Sequence, residues 1–280
     1  MTPPKMTVPD WINGDPADLR RWRNARSEVL APNLPDDVAI TPFFPEAGCP
    51  GGLCFTPDVI KSDPVLYFHG GGFVVGSPET HQQNAAWIAY LVGAQVHSVR
   101  YRLAPEHPIP AQANDAVAAI RRRLRTTEKL KLMGDSAGGL VALWGYAGLS
   151  PAERRRIRDT VLFYPSSGPS IPPGPDDPAL EADGLGPKSL ESYFRRLDPM
   201  GLIPGNATLD PLTAEFPRPQ NLVILAAAND PLLREAQALA DRSDARLLVA
   251  VGLSHGFLNT LPTQPALDYL KQALGVEGAL

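Results

Sequence analysis

Six short apolar runs, at 65–68, 95–101, 130–133, 160–164, 221–227 and 245–251, are separated by stretches that include helical patterns at 80–92, 111–124 and 231–241. Each run is strand-sized, bounded by turn residues, and apolar at nearly every position rather than at alternate ones. Such strands have both faces covered, and strands alternating with helices build a parallel sheet flanked by helices on both sides. The segments 38–44 and 52–56 add an antiparallel edge hairpin ahead of it. No repeat period interrupts the pattern, and 280 residues, 44% of them hydrophobic, can bury one substantial core, so a single α/β domain over 1–280 is expected. Two stretches, about 1–35 and 166–216, stand outside this scheme. Both read as helix and loop. In the second, 190–197 is amphipathic, while Pro169, Pro172, Pro173, Pro175, Pro178 and Pro187 exclude a strand. Together they are expected to form a small helical cap over the strand ends.

Charge narrows the partners. A net charge of −4 supplies no field to attract nucleic acid or anionic lipid, and the arginine clusters at 20–26, 121–125 and 154–158 read as solvated helix faces. The first residues carry no apolar signal region, and the longest mostly apolar run, 140–149, is too short to span a bilayer. A cytoplasmic protein with no membrane partner is expected, as monomer or homodimer. Cys49 and Cys54 have no second Cys or His pair nearby to complete a zinc site, and they read as two free thiols.

The chemistry gathers around Gly134-Asp135-Ser136-Ala137-Gly138, at the end of an apolar run. A sharp strand-to-helix turn that lifts one serine out of the backbone needs almost no side chain two residues before and two after it, and Gly134 and Gly138 meet that demand. A serine hydroxyl attacks only when a base takes its proton, and that base must itself be oriented by a carboxylate. With such a turn the chain order is serine, acid, histidine. Of five histidines only His255 follows Ser136, on a loop just after the last apolar run. Fourteen carboxylates lie between the two, and Asp230 is the best placed because it ends the strand before the histidine strand. Asp210 and Glu235 are the alternatives. A competing role for Asp230 is to cap the helix opening at Pro231, which would pull its carboxylate away from the histidine. Acyl transfer also needs N–H donors aimed at the developing oxyanion. The run at 65–68 enters His69-Gly70-Gly71-Gly72-Phe73, so Gly71 and Gly72 are the expected donors, joined by Ala137. His69 is expected to brace that loop and His97 to sit in the core. Phe73, Trp87, Tyr193, Phe194 and Phe257 are the candidate pocket walls.

With these residues in hand, the chain resembles the hormone-sensitive lipase family of α/β-hydrolase carboxylesterases. Three segments carry the likeness: His69 to Phe73 with Gly76, Ser77, Thr80 and His81; Tyr101-Arg102-Leu103-Ala104-Pro105-Glu106-His107-Pro108 with Pro110, Ala111 and Asp115; and Gly134 to Gly139. Weaker echoes at Asp230-Pro231-Leu232 and His255-Gly256-Phe257 extend it over roughly 38–270. The resemblance implies an α/β-hydrolase fold with a cap, Ser136, Asp230 and His255 as catalytic triad, and Gly71, Gly72 and Ala137 as oxyanion hole. After Leu232 the chain departs from the family pattern of an acid, a second acid and a glycine, carrying Arg234, Glu235 and Ala236. The expected activity is hydrolysis of a small-molecule carboxylic ester with a small acyl group through an acyl-enzyme, with deacetylation of a small metabolite as a close variant. It needs no metal or other cofactor. The rival classes are a non-hydrolytic lyase or cyclase on the same scaffold, and a catalytically silent ligand-binding homologue.

Overall fold

The computed structural model describes residues 7–30, 33–46, 48–171, 180 and 183–276. Its sheet begins with an antiparallel hairpin, β1 (Val38–Phe43) and β2 (Gly52–Pro57). The strands β3 (Val65–Phe68), β4 (Val96–Val99), β5 (Leu130–Asp135), β6 (Ile157–Phe163), β7 (Leu222–Asn229) and β8 (Arg246–Ser254) run parallel to one another. Among the described residues the sheet has eight strands in the order β1-β2-β4-β3-β5-β6-β7-β8, with β2 antiparallel to β4.

The near-continuous apolar strands follow from two separate cores, one on each face. Leu66, Phe68, Leu132, Leu162, Ile224 and Ala226 point to the face covered by α3 (Ala111–Leu124), α4 (Ala137–Ala147) and α7 (Leu233–Ser243). Their neighbours Val65, Tyr67, Met133, Val161, Phe163 and Leu225 point to the face covered by α2 (Gln82–Val92) and α8 (Ala266–Leu274). Successive residues of one strand thus enter opposite cores, so each must be apolar. Helix α4 is buried at every position, which explains why it is apolar all round, and Trp144 satisfies its indole N–H on the Leu209 carbonyl at 2.7 Å.

Among the described residues, two longer helices lie outside these layers. In α1 (Pro16–Val29), Asp15 caps the first turn by accepting the Ala17 N–H, and Pro16 occupies the first helical position. Arg20 anchors the helix to the body, donating to the carbonyls of Val74 and Ala104, each at 2.8 Å, and to Glu106. The second is α6 (Pro187–Leu197). It meets the N-terminal segment through an edge-on contact of Tyr193 with Trp11, itself packed on Trp22, and through Ser192, whose hydroxyl donates to the Ile12 carbonyl at 2.7 Å. Pro172, Pro173, Pro175 and Pro178 of the proline band lie outside the described residues.

Some sequence boundaries shift. The arginine cluster at 154–158 is not one solvated helix face: α5 (Pro151–Arg154) ends there and β6 begins at Ile157, paired with Leu130. The helix expected from Pro231 opens at Leu233, because Pro231 and Leu232 belong to a turn held by Asp230. Cys49 and Cys54 are both buried and free, and burial pushes both thiol pKa values up.

Candidate active site

Strand β5 ends at Asp135 and α4 begins at Ala137, leaving Ser136 alone at the junction with φ 53° and ψ −124°. A non-glycine residue is strained there. The turn closes only because its flanks lack side chains. A Cβ at Gly134 would lie 2.3 Å from the Gly138 carbonyl oxygen, and one at Gly138 would lie 2.0 Å from that of Phe68.

β8 delivers His255 to the same edge. Its Nε2 lies 3.0 Å from Ser136 Oγ, and its Nδ1 lies 2.8 Å from Asp230 Oδ2 at the end of the neighbouring strand β7. The competing role of capping the helix is not taken up: α7 has Leu232 at its N-cap with no side-chain cap hydrogen bond, and Asp230 instead holds the turn before it. The carboxylate divides its oxygens: Oδ1 accepts the Leu232 N–H at 2.8 Å while Oδ2 faces His255. Burial works to lower the His255 pKa, but the charge and hydrogen bond of Asp230 outweigh it and the net shift is upward. The ring of Tyr164 packs edge-on against the imidazole with centroids 4.9 Å apart.

The alternative acids serve elsewhere. Glu235 Oε2 accepts the Ser167 N–H at 2.7 Å and the Ser166 hydroxyl at 2.9 Å, while the Ser166 N–H donates to the Ser136 carbonyl. Burial raises its pKa to about 7. Asp210 accepts from Ser170, Gly205 and Leu212.

Facing the serine, Gly71 and Gly72 have φ of 119° and 57°. A Cβ on Gly72 would meet the Tyr193 ring at 2.6 Å. Among the described residues, the N–H groups of Gly71, Gly72 and Ala137 donate to no protein acceptor. All three residues line one cavity of about 600 Å³ together with Ser136 and His255. Asp135, absent from the sequence reading as a functional residue, ties this loop to the serine turn. Its Oδ1 accepts the Tyr67 hydroxyl at 2.5 Å and the Gly70 N–H at 2.9 Å. The signal for it was positional: an acid beside the nucleophile at a buried strand end must find partners. His69 braces the loop from behind, stacked on Tyr101 at 4.4 Å and hydrogen-bonded to the Gly70 carbonyl.

Phe73, Tyr193, Phe194 and Phe257 line the cavity. Trp87 does not. Its indole donates to the Asn33 carbonyl at 2.8 Å and its ring packs on Tyr90, because that side of α2 faces away from the strand ends. No group of three or more His, Cys, Asp or Glu among the described residues is placed to hold a metal ion. No helix among them is long and apolar enough to cross a membrane.

This geometry can be set beside known proteins. Residues 65–259 match the alpha/beta hydrolase fold family. The carboxylesterase NlhH of Mycobacterium tuberculosis is 33% identical, covering 76% of this chain and 72% of that one. The ethyl acetate hydrolase of Pseudomonas putida is 28% identical, covering 69% and 65%. Among solved structures, an esterase of Pyrobaculum calidifontis superposes with a TM-score of 0.80 at 25% identity, covering 97% of this chain and 95% of that one. The chain belongs to the alpha/beta hydrolase fold family and is a carboxylic ester hydrolase.

Proposed function

We propose that Ser136 is the nucleophile of this hydrolase, His255 its general base and acid, and Asp230 the group that orients His255. The observation carrying this is the unbroken hydrogen-bonded line from Ser136 Oγ through His255 to Asp230, at 3.0 and 2.8 Å. Ser136 Oγ bonds to the ester carbonyl carbon as its proton passes to His255 Nε2. The carbonyl oxygen becomes an oxyanion that accepts hydrogen bonds from Gly71, Gly72 and Ala137, whose N–H groups are unengaged among the described residues. The intermediate collapses by breaking the bond to the alcohol oxygen, which takes the proton from His255. Water, deprotonated by the same histidine, then attacks the acyl-enzyme and releases the acid and free serine.

The acyl group is small. The likeness to an ethyl acetate hydrolase supports this, as does the aromatic wall in which Phe73 packs on Trp144 and Phe194 at 5.6 and 5.7 Å. Deacetylation of a small metabolite falls within the same chemistry. The segments around α1 and α6 act as a cap on a single catalytic domain. Ser136→Ala should lower kcat on p-nitrophenyl acetate by about 10⁶ and abolish labelling by an organophosphonate. Turnover retained in the alanine variant would overturn the acyl-enzyme route in favour of a lyase or cyclase. No turnover and no labelling of the unaltered protein would point to a silent ligand-binding homologue.

A further inference from the structure

The cavity above Ser136 contains a cation with no directly paired carboxylate among the described residues. On α1, residues 19, 22, 23 and 26 share one face at helical spacing: Leu19 is buried in the core, and Trp22, Arg23 and Arg26 line the cavity. The other arginines of this helix are engaged. Arg20 is anchored to two carbonyls and Glu106, Arg21 pairs with Asp18, and Arg26 lies over the Trp22 ring at 5.1 Å. Arg23 differs. Its Nε is buried without a hydrogen-bond partner, and no carboxylate lies within ion-pair distance of its guanidinium among the described residues.

The other charged and titratable groups of the cavity do not answer it. Asp135 attracts the Arg23 charge without pairing with it, because its Oδ1 is taken by Tyr67 and Gly70 and its Oδ2 lies 3.6 Å from His81. Asp183 is exposed. Arg26 adds positive charge, and His255 is engaged by Asp230. His81 is held neutral, its pKa pushed down to about 3 by burial and then by the Arg23 charge itself. Burial lowers the Arg23 pKa too, but a guanidinium stays protonated at any physiological pH. An unpaired cation facing a cavity is unfavourable unless something that enters the cavity supplies the acceptor. A single guanidinium suits a monoanion, and its planar fork matches a carboxylate.

We propose that Arg23 recognises a carboxylate carried by the substrate beyond the scissile ester, so that the preferred substrates are half-esters of dicarboxylic acids or acylated hydroxy acids. Arg23 is then a specificity-determining residue of the hydrolase described above, and the inference rests on that reading.

Two matched pairs test it at pH 8. Monomethyl and dimethyl glutarate place the carboxylate on the acyl side; 3-acetoxypropanoate and its methyl ester place it on the leaving-group side. Unaltered enzyme is expected to favour the anionic member of one pair by at least about tenfold in kcat/KM, and the responding pair identifies which side faces Arg23. Arg23→Gln should erase most of that preference, chiefly through KM, and Arg23→Lys should restore part of it. The anionic-to-neutral ratio is read within one preparation, so loss of folded enzyme does not mimic the result. Neutral esters turned over with no anionic preference in either pair, or a preference unchanged in Arg23→Gln, would overturn this inference alone. Failure to hydrolyse any of the four esters or p-nitrophenyl acetate would overturn the hydrolytic reading and this inference with it.

Discussion

His255 sits where two effects oppose each other. Burial favours its neutral form and Asp230 favours its charged form, with Asp230 prevailing. Only the neutral imidazole can take the serine proton, so kcat/KM should fall as pH drops through a pKa above the ordinary histidine value of about 6.5. In Asp230→Asn the opposing charge is gone and burial acts alone. The pH limb should move below that of the unaltered enzyme while kcat falls by about 10⁴, as a pH–rate series from 5 to 9 would show. A limb that stays in place would remove Asp230 from its orienting role. Ser136, His255 and Asp230 were readable in the sequence because chain order and strand ends constrain them. Arg23 was not. One arginine among several in 20–26 reads as solvent-facing until the fold shows which turn of the helix looks inward. Glu235 was singled out for its charge, but its attachment to Ser166 and Ser167 depends on where β6 and α7 meet, which no local pattern encodes.

At the level of elements, the turn between β5 and α4 leaves no room for a side chain on either flank. The Phe68 carbonyl approaches so closely that a methyl at position 138 forces α4 or β3 to move. Gly138→Ala should therefore destabilise the protein by about 1–3 kcal/mol or more, read from chemical denaturation. It should also lower kcat, because β3 leads into the glycine loop. Unchanged stability and rate would mean the turn relaxes more cheaply than its geometry implies. The same apolar density that made the strands legible blurred their limits. The pairing of Ile157 with Leu130 carries β6 back beyond the run expected at 160–164, next to arginines that suggested a helix. Trp87 illustrates the converse limit: its helix was readable, but not which side of that helix faces the strand ends.

For the molecule as a whole, the central sheet and its helices were foreseeable from alternating runs, whereas the packing of two distant segments against each other depends on contacts such as Trp11 with Tyr193. Trp11 is 5% exposed and joins both segments. Trp11→Ala should loosen α1 and α6 while sparing the two cores, seen as faster amide exchange confined to those helices. Exchange that rises equally in α4 and β5 would mean the segments do not open as a unit. Their arrangement also bears on how the chain assembles. Helix α1 precedes every strand in the chain, but Val74, Ala104 and Glu106 that anchor it, and Ser192 that closes over its neighbours, come 54 to 180 residues later than their partners. During synthesis it must wait, unshielded, for most of the sheet to exist, so the wall that carries Arg23 is among the first parts of the pocket to be made and among the last to be installed.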